Sequence, residues 1–186
     1  SLVGDPQVRN RGTLGGSIVH ADPAADMPAV MVALEAQFDL AGTAGERSVA
    51  AGDFFQELFT VDVGENEILT LVTLPAVQTA AYAKLHHRAS RYAIVGVAAM
   101  LDLDGPACQS ARVGVTGLAS HAQRLSAVEQ ALTGRQLNNS AIAAASARAA
   151  DGILDVNDDL HASAEYRALM AQVFAQRAIS AAAARR

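Results

Sequence analysis

A glycine-rich turn followed by an Asp-Pro turn constrains this chain more than any other feature. The stretch runs from Gln7 to Pro28 (QVRNRGTLGGSIVHADPAADMP). Its centre is small and flexible: Gly12-Thr13-Leu14-Gly15-Gly16-Ser17. A short apolar segment, Ile18-Val19, leads to a second turn over Ala21-Asp22-Pro23-Ala24-Ala25-Asp26, and then to an apolar helical pattern. Adjacent glycines permit φ > 0 and let backbone N–H groups approach a ligand without an intervening Cβ. Such groups can converge into an anion-binding nest, with the Thr13 and Ser17 hydroxyls at its rim. The same composition also suits an ordinary turn. The spacing of Gly12, Gly15 and Gly16 is not that of the dinucleotide fingerprint, and no Lys follows them as in a Walker A loop. From the residues alone, a phosphate site and a plain turn both stand.

Read with its flanks, RNRGTLGGSIVHADPAADMPA resembles the second flavin-binding segment of the FAD-binding (medium) subunits of molybdenum hydroxylases. That family includes the medium subunit of carbon monoxide dehydrogenase and the flavin domain of xanthine dehydrogenase. The run T-L-G-G-S, with Asp26 nine residues after Ser17, carries the likeness, which continues to the C-terminus. It implies an α+β fold: the C-terminal part of a two-subdomain FAD-binding fold, then a domain with a three-stranded antiparallel sheet and a helical bundle. The expected division is 1–78 and 79–186. Family members carry an upstream segment whose earlier Gly-rich loop holds part of the FAD pyrophosphate. Here Ser1-Leu2-Val3-Gly4-Asp5-Pro6 leads straight into the second loop, so the expectation is the C-terminal two-thirds of such a subunit.

The resemblance also assigns cofactor-binding positions. Val8 and Gly12 match residues that line the flavin cofactor. Thr13, Gly15, Gly16 and Ser17 match the pyrophosphate and ribityl side, and Val19 and His20 the positions that continue along it. Asp26 matches a carboxylate that hydrogen-bonds the cofactor, Leu69 an aliphatic residue near its adenine-isoalloxazine region, and Lys84 a lysine close to the isoalloxazine. A lysine there can stabilise negative charge on reduced flavin. By their residue types alone, Asp26 reads as a helix N-cap, Leu69 as a core leucine and Lys84 as a solvated strand residue.

Composition narrows the alternatives. With 186 residues the chain can bury real cores. Apolar residues make up 51% and aromatics only 4%, which favours fine, alanine-rich helical packing. A net charge of −5 argues against an electrostatically driven nucleic-acid binder. Cys108 is the single cysteine, so the chain can form neither an intrachain disulfide nor a cysteine-held zinc or iron–sulfur site. No apolar run reaches the roughly 18 residues of a spanning helix, no signal peptide is visible, and the expected location is the cytoplasm. His86, His87, Arg88 and Arg91 form a basic patch without metal-ligand spacing, and Asp155-Val156-Asn157-Asp158-Asp159 lacks the Gly and Glu of an EF-hand. No metal site and no catalytic residue is expected. No Ser or Cys stands in an activating motif, which argues against hydrolase chemistry.

Along the chain, Asp26 is expected to cap a helix over Met27–Ala36 with Pro28 in its first turn. Phe38-Asp39-Leu40 and Arg47-Ser48-Val49 read as a hairpin around Gly42–Gly45. Asp53–Phe59 reads as a short helix burying Phe54, Phe55, Leu58 and Phe59 in a phenylalanine cluster. Glu67–Leu74 is the best strand. Ala80–His87 follows, with Tyr82, Lys84 and His86 on one face and Ala81, Ala83 and Leu85 on the other. Ala93–Leu103 suits a buried strand or a helix; the Asp104-Gly105-Pro106 turn and Gln109–Leu118 favour the strand. Helices are expected over Ser126–Thr133, with Ser126 and Glu129 as a capping box, Ser140–Ala150 and Ser163–Ala182. The last presents Tyr166, Leu169, Met170, Val173, Phe174 and Arg177 at helical spacing, to a sheet or to a partner subunit, and its end from Ala181 to Arg186 is expected to fray.

The family resemblance implies an electron-transfer role. Substrate would be oxidised at a molybdenum cofactor on a large subunit. Electrons would pass through two [2Fe-2S] clusters on a small subunit to FAD, and then to NAD, a quinone, a cytochrome or O2. The family assembles as a dimer of heterotrimers. Two further readings stand beside this one: a cofactor-free subunit-interaction module, and a flavin-dependent oxidase or reductase acting alone.

Overall fold

The helix after the Asp-Pro turn, α3, packs against both halves of the chain. The computed structural model describes residues 3–77 and 79–185. Its first half contains α1 (Pro6–Arg11), α2 (Leu14–His20) and α3 (Asp26–Ala33), then β1 (Gln37–Gly42) and β2 (Gly45–Ala50). Next come α4 (Ala51–Phe54), the short hairpin β3 (Phe55–Glu57) and β4 (Thr60–Val61), and β5 (Glu67–Thr73). The second half contains β6 (Ala80–His86), β7 (Ala93–Asp104), β8 (Ala107–Thr116) and the two-residue β9 (Gln123–Arg124). It ends with α5 (Ser126–Leu132), α6 (Asn139–Ser146) and α7 (Ala164–Ala183). Residue 78, where the division was expected, residues 1 and 2, which open the run into the glycine loop, and residue 186, in the end expected to fray, lie outside the described residues.

Three long antiparallel strands, β6, β7 and β8, form the second sheet, and β9 adds a short edge. The helices α5 and α7 cover one face, with α6 packed on both of them, and α3 covers the other. This explains the uniform run in β7. Val95, Val97, Ala99 and Leu101 enter the core under the helices. Ala98 and Met100, on the opposite face by the two-residue period, are also buried. A strand covered on both faces loses the polar–apolar alternation that would have identified it.

The first half has its own core around the sheet β2-β1-β5. Phe38 and Phe54 are fully buried, their ring centroids 4.6 Å apart at 66°. Phe55 completes the cluster at 5.3 Å from Phe54 and 86°. Such edge-on pairs each contribute about 0.5–1.5 kcal/mol beyond the area they bury. The expected helix over Asp53–Phe59 is corrected here. The helix stops at Phe54 and the chain turns into β3, which leaves Leu58 and Phe59 about half exposed at the hairpin. Apolar spacing over so short a segment does not distinguish a helix from a hairpin tip.

One expected helix cap and one expected helix also differ. Ser126 is the first residue of α5 and makes no cap bond. Glu129 turns away to accept from the Val113 N–H at 2.7 Å and from Arg124 Nε at 2.5 Å, so it ties the helix to the sheet instead. The helix expected over Ser140–Ala150 is the shorter α6, capped by Asn138, whose side chain accepts from the Ala141 N–H at 2.9 Å. The helix expected over Ser163–Ala182 is α7, with Ser163 as its cap. Its buried face is Arg167, Ala171, Phe174, Ala175, Ala178, Ile179 and Ala182, whereas Tyr166 and Leu169 are exposed. Small alanines, not the larger stripe, let α7 lie close on the sheet.

A surface cluster joins β2 to β5. Arg47 donates to both oxygens of Glu67 at 2.8 Å and to Asp62 at 2.7 Å. The Arg47 hydrogen bonds, helped by the Gly64 N–H, lower the Glu67 carboxyl from the usual 4.5 to about 2. A depressed carboxyl pKa means that this pair's stabilisation is complete above about 4.5 and is lost as the pH falls through about 2. In Arg47→Gln the Glu67 midpoint should return toward 4.5 in an NMR titration. An unchanged midpoint would show that another group holds the carboxylate.

Candidate functional site

Local capping builds the site. Asp5 caps α1 by accepting from the Val8 N–H at 2.8 Å, with Pro6 at its start. This helix, not expected from the sequence, separates the N-terminal residues from the glycine run. Gly12 ends it in extended conformation, and Thr13 caps α2 by accepting from the Gly16 N–H at 3.0 Å. The expected flexible nest is therefore corrected: Leu14-Gly15-Gly16-Ser17 is the first turn of a helix, and neither Gly15 nor Gly16 has positive φ. The glycines serve close approach instead. A Cβ on Gly16 would lie 2.8 Å from Thr13 Oγ1 and displace the cap. Ala21, left-handed at φ 50°, closes α2.

The turn between α2 and α3 is anchored by the second sheet. The Thr116 hydroxyl donates to the Pro23 and Ala25 carbonyls at 2.6 and 2.8 Å. The Gly117 N–H donates to the Pro23 carbonyl at 2.6 Å, and the Ala93 N–H to the Ala24 carbonyl at 3.0 Å. These bonds place Asp26 at the start of α3. It is the first helical residue and not the cap expected from the sequence; Ala25 occupies the cap position and makes no side-chain bond. The Asp26 carboxylate is spoken for elsewhere. It accepts from Lys84 Nζ at 2.8 Å and from the Tyr82 hydroxyl. Lys84 Nζ also donates to the Arg91 carbonyl at 2.7 Å. The Lys84 and Asp26 side chains are 3% and 5% exposed, a buried ion pair and not the solvated lysine its residue type suggested.

Between α1, α2 and the start of α3 lies a cavity of about 630 Å³. Of the residues singled out from sequence, Val8, Gly12, Thr13, Gly16, Ser17, His20 and Asp26 line it. Gly15, Val19, Leu69 and Lys84 do not. Gly15 faces Leu69, whose Cδ2 would be 3.9 Å from an added Cβ, and Val19 is 37% exposed. Lys84 meets the cavity only through Asp26. Sequence reasoning missed Arg11, Asp22 and Tyr92, which also line it. Arg11 lies in the resembling segment; Tyr92 lies far along the chain and carried no local signal. Burial, and then the carboxylates of Asp22, Asp5 and Asp26, raise the Tyr92 hydroxyl above its ordinary range, so it remains protonated.

The donor set fits a dinucleotide cofactor with a pyrophosphate. Arg11 makes no ion pair and the Ser17 hydroxyl no hydrogen bond among the described residues. The first amides of α2 have no intrahelical acceptor, and Gly16 keeps that wall free of a side chain. At the far wall Asp26 retains acceptor capacity, because a carboxylate offers about four lone-pair sites. Among the described residues no group of three or more His, Cys, Asp or Glu could hold a metal, and no helix is long and apolar enough to cross a membrane. The Asp155–Asp159 loop serves structure: Asp159 accepts from Arg167 at 2.6 Å.

Comparison with known proteins places the chain in a family. Residues 1–77 match the FAD binding domain in molybdopterin dehydrogenase, and residues 80–182 match the CO dehydrogenase flavoprotein C-terminal domain. The carbon monoxide dehydrogenase medium chain of Hydrogenophaga pseudoflava is 37% identical over 187 aligned residues, covering 99% of this chain and 65% of that one. The nicotine 6-hydroxylase medium subunit of Paenarthrobacter nicotinovorans is 33% identical, covering 98% and 65%. A solved structure of carbon monoxide dehydrogenase from H. pseudoflava superimposes with a TM-score of 0.93 at 39% identity, over 100% of this chain and 65% of its counterpart. The chain thus spans about 65% of the length of these relatives. Two matched domains in succession, and an architecture shared along the whole chain, show that it belongs to the family of FAD-binding medium subunits of the molybdopterin dehydrogenases.

Proposed function

We propose that this chain holds FAD across the cavity between α1, α2 and α3 and serves as the electron-transfer unit of a molybdenum hydroxylase. The observation that carries the reading is the pairing of opposite walls, with unpartnered donors at Arg11 and Ser17 on one side and Asp26, backed by buried Lys84, on the other. In this reading Thr13, Gly16, Ser17 and Arg11 receive the pyrophosphate. Val8, Gly12 and His20 line the cofactor's length, and Asp26 accepts its hydrogen bonds. Gly15, Val19 and Leu69 support the wall from behind, and Lys84 acts through Asp26. FAD, when bound, supplies the redox chemistry; the chain orients it and sets its electrostatic surroundings.

The relatives' names support a division of labour. Medium chains of this family belong to carbon monoxide, glyceraldehyde and nicotine enzymes. One scaffold serving such different substrates fits oxidation at a molybdenum cofactor on a large subunit. A small [2Fe-2S] subunit would then feed electrons to this one, and NAD, a quinone, a cytochrome or O2 would take them, in a dimer of heterotrimers. We place the assembly in the cytoplasm and the domain division near residue 78.

The test is a visible absorption spectrum of the purified chain after FAD is added and the excess removed. Retained bands near about 370 and 450 nm are expected of bound oxidised flavin; a protein that stays colourless even with the upstream segment of a medium subunit supplied would sink the reading. Gly16→Asp, which crowds Thr13 and adds a carboxylate at the phosphate wall, should weaken FAD binding about tenfold, the effect of one unfavourable charged contact. Unchanged flavin content would remove this loop from the site.

A further inference from the structure

We propose that Tyr82 is a positioning residue of the flavin site, fixing through its hydroxyl the carboxylate that Asp26 presents to the cofactor. The proposal rests on the FAD reading above. Tyr82 and Lys84 are two residues apart on β6 and so share a face. Both reach the same carboxylate: the Tyr82 hydroxyl takes Oδ1 and Lys84 Nζ takes Oδ2. Lys84 is itself held by the Arg91 carbonyl. With one donor, a carboxylate can swing about that contact; with a donor on each oxygen its plane is set. The remaining lone pairs then point where the ligand must meet them.

Tyr82 does not line the FAD cavity, whereas Asp26 does. Any influence of Tyr82 on the cofactor therefore passes through Asp26. The sheet makes room for the phenol. On β7, Gly96 pairs with Lys84 and faces the Tyr82 ring, and an added Cβ there would collide with the hydroxyl. Burial, and then the Asp26 charge, raise the Tyr82 hydroxyl above its ordinary range, so it keeps its proton and stays a donor. Asp26 belongs to α3 and Tyr82 to the second sheet, so the contact also registers the flavin cavity against the second half of the chain.

The experiment compares wild type, Tyr82→Phe, Asp26→Asn and the double variant for FAD affinity and for the midpoint potential of the bound flavin. Tyr82→Phe should bind FAD about tenfold more weakly, the effect of losing a hydrogen bond to a charged group. Loss of a donor leaves Asp26 more negative toward reduced flavin. A further threefold loss for the reduced cofactor lowers the two-electron potential by about 15 mV. In the Asp26→Asn background, Tyr82→Phe should add nothing, the non-additivity of residues acting through one another. A merely structural tyrosine would move neither the potential nor the coupling. Wild-type affinity and potential in Tyr82→Phe, or additive losses, would overturn the proposal and leave the FAD reading standing. A wild-type chain that takes up no FAD even with the upstream segment of a medium subunit supplied overturns both. If Tyr82→Phe does not fold, proton NMR of the wild type replaces it. The sheltered Tyr82 hydroxyl proton should shift when FAD is added, and an unmoved or absent resonance counts against the proposal.

Discussion

Lys84→Met is expected to destabilise the fold by about 3–5 kcal/mol, because it leaves Asp26 as a buried carboxylate without its cation. The pair is nearly closed to solvent, with side chains 3% and 5% exposed, so water substitutes poorly for the ammonium. The methionine fills much the same volume, so the loss is electrostatic and not a cavity. For a chain of this size the melting temperature should fall by about 10 °C. Adding Asp26→Asn removes the orphaned charge, and the double variant should recover at least half of the loss. A single variant melting within about 2 °C of wild type would show that the carboxylate finds another partner.

The second large effect is expected at Gly114. This residue of β8 lies beneath α3, and a Cβ there would run into the Ala29 carbonyl and come within 3.1 Å of the Ala33 nitrogen. Both are backbone atoms of one helix, so no side chain can rotate away. Gly114 has no positive φ, so alanine is allowed by the backbone and only the contact is tested. Gly114→Ala should cost about 3 kcal/mol, the upper range for overpacking. It should lower the denaturant midpoint without changing the slope. Because α3 begins at Asp26, the same displacement should loosen the FAD site. A variant as stable as wild type would show that α3 can ride higher on the sheet without loss.

Much of this architecture was legible because local signals agreed with the final packing. Glu67–Thr73 is β-branched and aliphatic, and it is a strand. Alternation along Ala80–His86 correctly put Tyr82 and Lys84 on one face, although nothing in the sequence placed Asp26 between them. Where local chemistry had competing solutions, the reading failed. Asp26 and Ser126 both have the residue type of a cap, yet neither caps, because tertiary partners or the approach of the chain decide otherwise. Leu58 and Phe59 are apolar yet exposed at a hairpin tip. The glycine run looked like a flexible nest, and Thr13 made it a helix start.

Sequence by itself determined the family and most of the longer strands and helices, from β5 onward above all, because these depend on neighbours within a few positions. Only the tertiary structure decided that β7 is covered on both faces. It also decided that Thr116 and Gly117 hold the turn before α3, and that Tyr82 and Lys84 close on a carboxylate more than fifty residues away. Those contacts bring together groups far apart along the chain. Spacing and propensity describe local order only, whereas a buried charge takes whichever distant partner the packing of helix on sheet delivers.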